Sequence, residues 1–284
     1  MKKLNENLIL FESKTNVLLY INKNNAYLID SGNDINLCDE ILDYLDKNNL
    51  TLKYIINTHS HSDHIKCNNY LKNKTNCLIT SSDKERVLIE NSDINLNIIS
   101  NGNISLIKEN DYLNFKETKT KKLPNIDNIS YIKLDGHSYD MLGILIEDKY
   151  FFIADSLFSL KELNYFPFIY DVSKFLKTLD KILNYKDKII ISSHSGIIDA
   201  IQELCYQNKK YVIKTIGIIR SLIKDKIDLE ELFLKFLNYR NLKTNKTTYF
   251  LYKNTFKSFI NYMIEEKIIN YEIIGNKFYL LILI

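Results

Sequence analysis

The chain has 284 residues, 45% apolar and 26% charged, with only 7 Gly and 2 Pro, which allows a sizeable buried core and argues against long disordered linkers. Its net charge of +3 is too small to point to nucleic acid by itself, and no stretch approaches the roughly 18 uninterrupted apolar residues of a membrane span. The opening MKKLNENLILFESKTNVLLY breaks its apolar run with Asn, Glu and Lys before signal-peptide length, and Cys38, Cys67, Cys77 and Cys205 form no CxxC pair, so a reduced, cytoplasmic protein is expected.

In chain order, apolar runs at 8–11, 17–21 and 26–30 read as three strands separated by polar turns. Ile35, Leu37, Ile41, Leu42 and Leu45 then follow helical spacing, with Asn33 or Asp34 as cap. KYIINTHS is a short buried strand that runs into a histidine-rich loop, NNYLKNK is a polar helix, and CLITSS is another strand. Residues 84–135 read as short strands mixed with loops, closing with the strand ISYIKLDGHS. GILIEDKYFFIADSLF reads as a hairpin, KFLKTLDKILNY as an amphipathic helix and KIIISSHSG as a strand. Beyond residue 200 the pattern predicts helices over 200–224, 228–238 and 255–270, then a hairpin over 271–284 turning at Gly275-Asn276. Residues 1–200 are thus expected to form one domain and 201–284 a small, mainly helical second one.

Four of these strands end at a His or Asp. NTHSHSDHI, residues 57–65, holds three of the five histidines in the chain, with an aspartate among them. His59 and His61 are one residue apart on a loop, so both imidazoles can face one side, and Asp63 and His64 offer a carboxylate and a third imidazole beside them. Such groups suit first-row metals, and Zn²⁺ accepts them at roughly 2.0–2.2 Å. A lone strand-end histidine is more often structural; four ligand-type residues in six positions point to metal.

THSHSDHI resembles the HxHxDH signature of the metallo-β-lactamase superfamily. GHS at His137, IADSLF at Asp155 and SSHSG at His194 are similar to the remaining ligand motifs of that family, in order, and use up the histidines. The resemblance spans about residues 8–200. It implies an α/β fold, an αββα sandwich of two mixed sheets with helices outside, and metals at one edge between the sheets. It further implies that His59, His61 and His137 hold one divalent metal and Asp63, His64 and His194 a second, with Asp155 bridging. Zn is the first choice of metal, with Fe or Mn as alternatives. A hydroxide shared by the metals would be the nucleophile, and Asp63 the catalytic residue that orients it or takes its proton. Asp30, in YLIDSG, would orient the ligand loop from behind.

His-x-His disfavours the flavodiiron branch, and Asp155 stands where most true β-lactamases of this fold have cysteine. The ADSLF context looks closer to glyoxalase II, so a thioester or other ester is the expected small-molecule substrate. A metal-dependent ribonuclease or phosphodiesterase and a mononuclear iron persulfide dioxygenase are the alternatives. Lys66 and Cys67 replace small residues usual after His64, and GHSYD replaces GHTPG, which alters the pocket wall but not the cage. Tyr139 is expected to be packed or solvent-facing rather than a substrate contact, and Cys67 to be a buried thiol.

The C-terminal third resembles the winged-helix appendage of some relatives. It carries 14 Lys+Arg against 8 Asp+Glu, but a solvated helical face with an Ile213, Ile216, Ile219 and Ile223 core stripe is preferred to nucleic-acid binding. Covering one rim of the metal pocket, or a homodimer contact, is the expected role; no membrane partner is expected.

Overall fold

A computed structural model describes residues 1–282. Seven strands form the first sheet in sequence order: β1 (Lys2–Lys3), β2 (Leu8–Phe11), β3 (Val17–Asn22), β4 (Asn25–Ile29), β5 (Thr51–Ile56), β6 (Leu78–Thr80) and β7 (Thr120–Lys121). Neighbours are antiparallel up to β4 and parallel from β4 to β7. The second sheet contains β8 (Ile129–Lys133), β9 (Leu142–Ile146), β10 (Tyr150–Phe152), β11 (Ile189–Ser192) and β12 (Gly196–Ile198), ordered β12-β11-β10-β9-β8 with one parallel pair, β10 with β11.

Strand alternation explains why the first strands read as unbroken apolar runs. Leu8, Leu10, Leu18, Tyr20, Ile29 and Ile56 belong to the core shared with the second sheet. Their sequence neighbours Ile9, Phe11, Val17, Leu19, Leu28 and Ile55 pack on the opposite side with Leu37, Cys38, Ile41 and Leu71. These last come from helices α1 (Ile35–Lys47) and α3 (Asn68–Thr75), so both faces of the sheet are buried. Asp34 caps α1, its side chain accepting from the Asn36 N–H. The layers are those of the expected αββα sandwich.

The segment 84–135 corrects the sequence reading. Much of it is helical, as α4 (Asp83–Glu90), α5 (Ser92–Ile99) and a 3₁₀ turn at Ile104–Leu106. In α4 the apolar Val87 is 51% exposed while Glu85 is fully buried, and this inversion destroys the apolar stripe that would announce a helix.

Helix α6 (Val172–Leu183) lies over the second sheet, and beyond it come α7 (Ile201–Leu222), β13 (Lys226–Asp228), α8 (Leu229–Tyr239), α9 (Lys246–Glu265), β14 (Ile269–Ile274) and β15 (Lys277–Ile282). Helix α9 starts nine residues before the expected 255, because Asn245 and Thr248 form a reciprocal capping box, and it ends at Glu265, so 269–270 begin a strand instead. The hairpin turns at Gly275-Asn276 as expected, and its last two residues, 283 and 284, lie outside the described residues. Phe166, from the loop before α6, inserts among Phe236, Phe259 and Tyr252, with ring centroids at 4.9, 5.8 and 5.9 Å. Ile169 N–H donates to Thr255 Oγ1 at 3.2 Å and Val172 N–H to Ser258 Oγ at 3.0 Å. Helix α9 thereby fixes the loop that walls the site described next. No helix among the described residues is long and apolar enough to cross a membrane.

Candidate metal centre

The histidine-rich loop follows β5, and Asp30 behind it sets its shape. Asp30 sits at φ +60° and is fully buried. Its carboxylate accepts from Thr58 N–H at 2.7 Å, Thr58 Oγ1 at 2.8 Å and His64 Nδ1 at 2.8 Å. His61 precedes the single helical turn α2 (Ser62–Ile65), which places Asp63 and His64 on the inner side. The Gly136-His137 loop, Asp155 and His194 arrive from the ends of β8, β10 and β11.

All seven expected residues come together. His61 Nδ1 lies 3.0 Å from His59 Nε2 and 2.9 Å from His137 Nε2. Asp155 Oδ2 lies 3.1 Å from His194 Nε2 and 3.4 Å from both His64 Nε2 and His137 Nε2, so one oxygen touches both halves of the cluster. Asp63 Oδ2 stands 3.6 Å from both His64 Nε2 and His194 Nε2 and accepts from Thr15 Oγ1 at 3.0 Å.

Four imidazoles are fixed in one tautomer by what their outer nitrogen touches. His64 Nδ1 donates to Asp30, His137 Nδ1 to the Phe168 carbonyl at 3.0 Å and His194 Nδ1 to the Lys14 carbonyl at 2.7 Å. Thr58 Oγ1, already donating to Asp30, accepts from His59 Nδ1 at 3.0 Å. Each Nε2 therefore turns a lone pair inward when the ring is neutral. His64 Nε2 and Asp155 Oδ1 are buried without a hydrogen-bond partner, which a cation at their centre would supply. Three overlapping triplets have ligand atoms close enough to share an ion: His59, His61 and His137; His59, His64 and Asp155; and Asp63, His64 and His194.

The electrostatics divide the cluster. Burial holds His59 and His61 well below the ordinary imidazole range, neighbouring imidazoles adding to it, and it lowers His137 as well. Burial opposes charge on His64 too, but Asp155, Asp63 and Asp30 outweigh it and raise that ring well above the ordinary value. Asp155 pushes His194 up to about 10. Burial of Asp155 is in turn outweighed by His194 and His64, which leave its carboxyl well below the usual range. The acidic neighbours thus favour the charged form of His64 and His194, while burial favours the neutral form of the other three rings.

Glu85 is the site residue that the sequence reading missed. Fully buried on α4, its carboxylate accepts from Ser60 N–H at 2.9 Å, Ser138 Oγ at 2.6 Å and Asp140 N–H at 2.9 Å. One carboxylate thus ties the loop between His59 and His61 to the loop just after His137. Burial raises its pKa, with the hydrogen bonds from Ser138 and Ser60 opposing. Glu85→Ala strands those donors and should cost about 2–3 kcal/mol in chemical denaturation of metal-free protein. It should also weaken metal uptake at the His59, His61 and His137 triplet, read by titration with a chromophoric chelator.

Residues 11–194 match the Metallo-beta-lactamase superfamily. The chain belongs to that superfamily. Hydroxyacylglutathione hydrolase 1 of Vibrio vulnificus (strain YJ016) is 32% identical over 145 residues, 50% of this chain and 47% of that protein, so the chain spans about half the length of this curated relative. Among solved structures, a metallo-beta-lactamase family protein from Thermus thermophilus has a TM-score of 0.70 at 14% identity, covering 98% of this chain and 99% of that one. A beta-lactamase domain protein from Burkholderia ambifaria has a TM-score of 0.71 at 12% identity, covering 99% and 93%. A subclass B3 metallo-beta-lactamase of Bradyrhizobium japonicum covers 76% of this chain and 93% of its own at TM-score 0.57 and 14% identity. These likenesses are of fold, and the first two take in the C-terminal helices while the third stops short of the whole chain.

Within this metallo-beta-lactamase fold, a pocket of about 270 Å³ opens over His61, Asp63, His137, Asp155 and His194. A larger cleft of about 430 Å³ lies between α5, α9 and the start of α6 but contains none of the cluster residues, so the smaller one is the site. Tyr139 lines that neighbouring cleft, packed on Tyr170 with centroids 3.8 Å apart and ring planes tilted by 38°, and does not line the 270 Å³ pocket over the histidines. Cys67 is buried beside Cys38 under the first sheet.

Proposed function

We propose that the chain is a metal-dependent hydrolase that binds two divalent ions, Zn first, and cleaves a thioester or other ester. The observation that carries the proposal is the set of inward Nε2 atoms, fixed from behind by Asp30, Thr58, Phe168 and Lys14 and joined across the centre by Asp155 Oδ2. His59, His61 and His137 would hold one ion, Asp63, His64 and His194 the other, with Asp155 between them. Bound there, the ions would supply a water of lowered pKa and polarise the substrate carbonyl. Asp63, whose carboxylate accepts from Thr15, would orient that water and take its proton, and Phe158 and Phe168 flank the cluster. The 32% identity to a hydroxyacylglutathione hydrolase supports thioester hydrolysis as the type of reaction, without fixing the leaving group.

Several C-terminal lysines face acidic neighbours: Lys209 with Asp180, Lys226 with Glu272, Lys235 with Glu231 and Lys253 with Glu230. Their positive charge is partly answered within the chain, which favours the ester over a nucleic acid. Residues 201–284 are best read as a winged-helix-like second unit, since α7, β13, α8, α9 and the β14–β15 hairpin follow in that order, and it braces the pocket wall. The four buried, unbridged cysteines suit a reducing, cytoplasmic setting.

The test is metal content of the purified chain together with a panel of thioesters, esters, lactones and phosphodiesters. Two ions per chain and ester hydrolysis abolished by chelation are expected; a chain that takes up no Zn²⁺, Mn²⁺ or Fe²⁺ would sink the proposal. One iron with oxygen consumption would identify the dioxygenase instead. The pKa pattern sets the pH dependence. Metal at Asp63, His64 and His194 must displace protons from two raised imidazoles, so uptake there strengthens as pH rises and fails first as pH falls. The His59, His61 and His137 set, with lowered values, keeps its lone pairs to lower pH. Stepwise dialysis from about pH 8 to pH 5 should therefore take the chain from two ions through one to none, read by elemental analysis.

A further inference from the structure

The wall of the pocket differs from its floor. Above the histidines and the two aspartates it is built from Ile99, Leu113, Phe158, Phe168 and Leu251, with Pro167 beside them. Phe168 lies edge-on to His61, with ring centroids at 5.4 Å, and Phe158 lies 5.9 Å from His137. Tyr112 and Tyr165, 60% and 59% exposed, stand at the mouth. The one charged side chain on this wall is Glu162, whose carboxylate is held by Ser159 N–H at 2.8 Å and Ser159 Oγ at 2.6 Å. Among the described residues, no Lys or Arg lines the pocket.

A substrate wider than its reacting carbonyl must lay its acyl and leaving groups along that wall. Apolar groups gain by leaving water there. A carboxylate-bearing leaving group laid along that wall would lose hydration with no Lys or Arg there to receive it and would meet Glu162 as a like charge. We propose that the site takes esters or thioesters whose acyl and leaving groups are both uncharged and apolar, aryl or medium-chain, and discriminates against anionic leaving groups. Phe168 supplies the attraction and Glu162 the rejection. The glutathionyl group in the name of the Vibrio relative carries two carboxylates and falls on the rejected side, as does a polyphosphate chain. This assignment rests on the ester-hydrolase reading for its chemistry, but the recognition it describes is measurable without turnover.

The metal-loaded protein is assayed on a matched pair, one acyl group carried on phenylmethanethiol and on glutathione, two alkyl thiols of similar acidity, with single-stranded RNA as a third substrate. The neutral thioester should show a kcat/KM at least about tenfold higher, mainly through KM. Glu162→Gln, which keeps the acceptor for Ser159, should raise the glutathione thioester about threefold and leave the neutral one within about a factor of two. Phe168→Ala should lower the neutral substrate by about tenfold, the Phe168 carbonyl that holds His137 being retained. In parallel, calorimetry compares binding of a neutral phenyl alkyl thioether with S-hexylglutathione. Equal or better hydrolysis of the glutathione thioester or RNA, or an equal response of both thioesters to Glu162→Gln, overturns the assignment. If no ester is cleaved yet the neutral thioether binds more tightly, the hydrolase reading falls and the pocket assignment stands. If S-hexylglutathione binds as well or better, or neither ligand binds, the assignment falls whatever the activity.

Discussion

Gly136→Ala should cost the protein about 4 kcal/mol or more and displace His137 from the cluster. A Cβ at residue 136 would stand 2.4 Å from Phe175 N and 2.5 Å from Phe175 Cα. Those are backbone atoms in the first turns of α6, so no side-chain rotation relieves the overlap. The φ of +123° adds a conformation that an L-residue resists. Relief requires α6 to move outward, and two contacts go with it: Asp171 N–H to the Gly136 carbonyl at 3.0 Å and Thr178 Oγ1 to the Asp135 carbonyl at 2.7 Å. The Phe168 carbonyl that orients His137 lies just before this junction. Gly102→Ala is the control. Its φ is +84° but nothing lies within 4 Å of the added carbon, so only the backbone preference is lost, about 1–2 kcal/mol. Denaturant titration of both variants in chelator measures the difference, and metal titration reads the His137 displacement. Equal losses in the two would show that the approach to Phe175 is not tight.

That contrast shows how far the sequence could be read. Gly136 beside His137 is visible as a motif, but the helix that presses on it begins 36 residues later, at Val172. The seven cluster residues were legible because His59, His61, Asp63 and His64 crowd ligand-type groups into six positions, and His137, Asp155 and His194 each stand within four residues of a strand end. Asp30 was legible for the same reason. Glu85 was not, since a glutamate in DKERVLIE reads as solvated, and only the packing of α4 on the 138–140 loop turns it inward. The pocket wall was the least legible part. Ile99, Leu113, Leu251 and the pair Phe158 and Phe168 come from four separate segments, and nothing local in any of them distinguishes a wall residue from a core residue. The fold was legible as strands and sandwich, because two buried faces make β2, β3 and most of β4 continuous apolar runs. Helices α4 and α5 were hidden by brevity and by exposed Val87 and Ile94.

Asp155→Asn keeps the shape of the side chain and removes the charge that joins the two halves of the cluster. On the two-ion ester-hydrolase reading proposed above, the number of ions retained should fall from two to one or none, and ester hydrolysis should drop by about a thousandfold or more. The metal-free protein gives an independent reading. His194 is held at about 10 chiefly by Asp155, so its titration, followed by NMR, should fall back toward the ordinary imidazole value of about 6.5. His64 should fall with it, though Asp63 and Asp30 remain beside it. The stability loss follows by linkage. The lowered carboxyl of Asp155 stabilises the native state above the usual carboxylate range and ceases to do so as pH falls through its folded value. The raised imidazoles stabilise it below about pH 6.5 and cease to do so as pH rises toward their folded values. Both contributions are present together between about pH 4 and 6.5, and there the variant should be weaker than the parent by about 3 kcal/mol. The gap should narrow steadily as pH rises toward 10, where His194 loses its proton in the parent as well. Urea titrations of chelated protein near pH 5.5 and 9.5 measure both ends, and a gap of the same size at each would mean that Asp155 shapes the centre without pairing with its imidazoles.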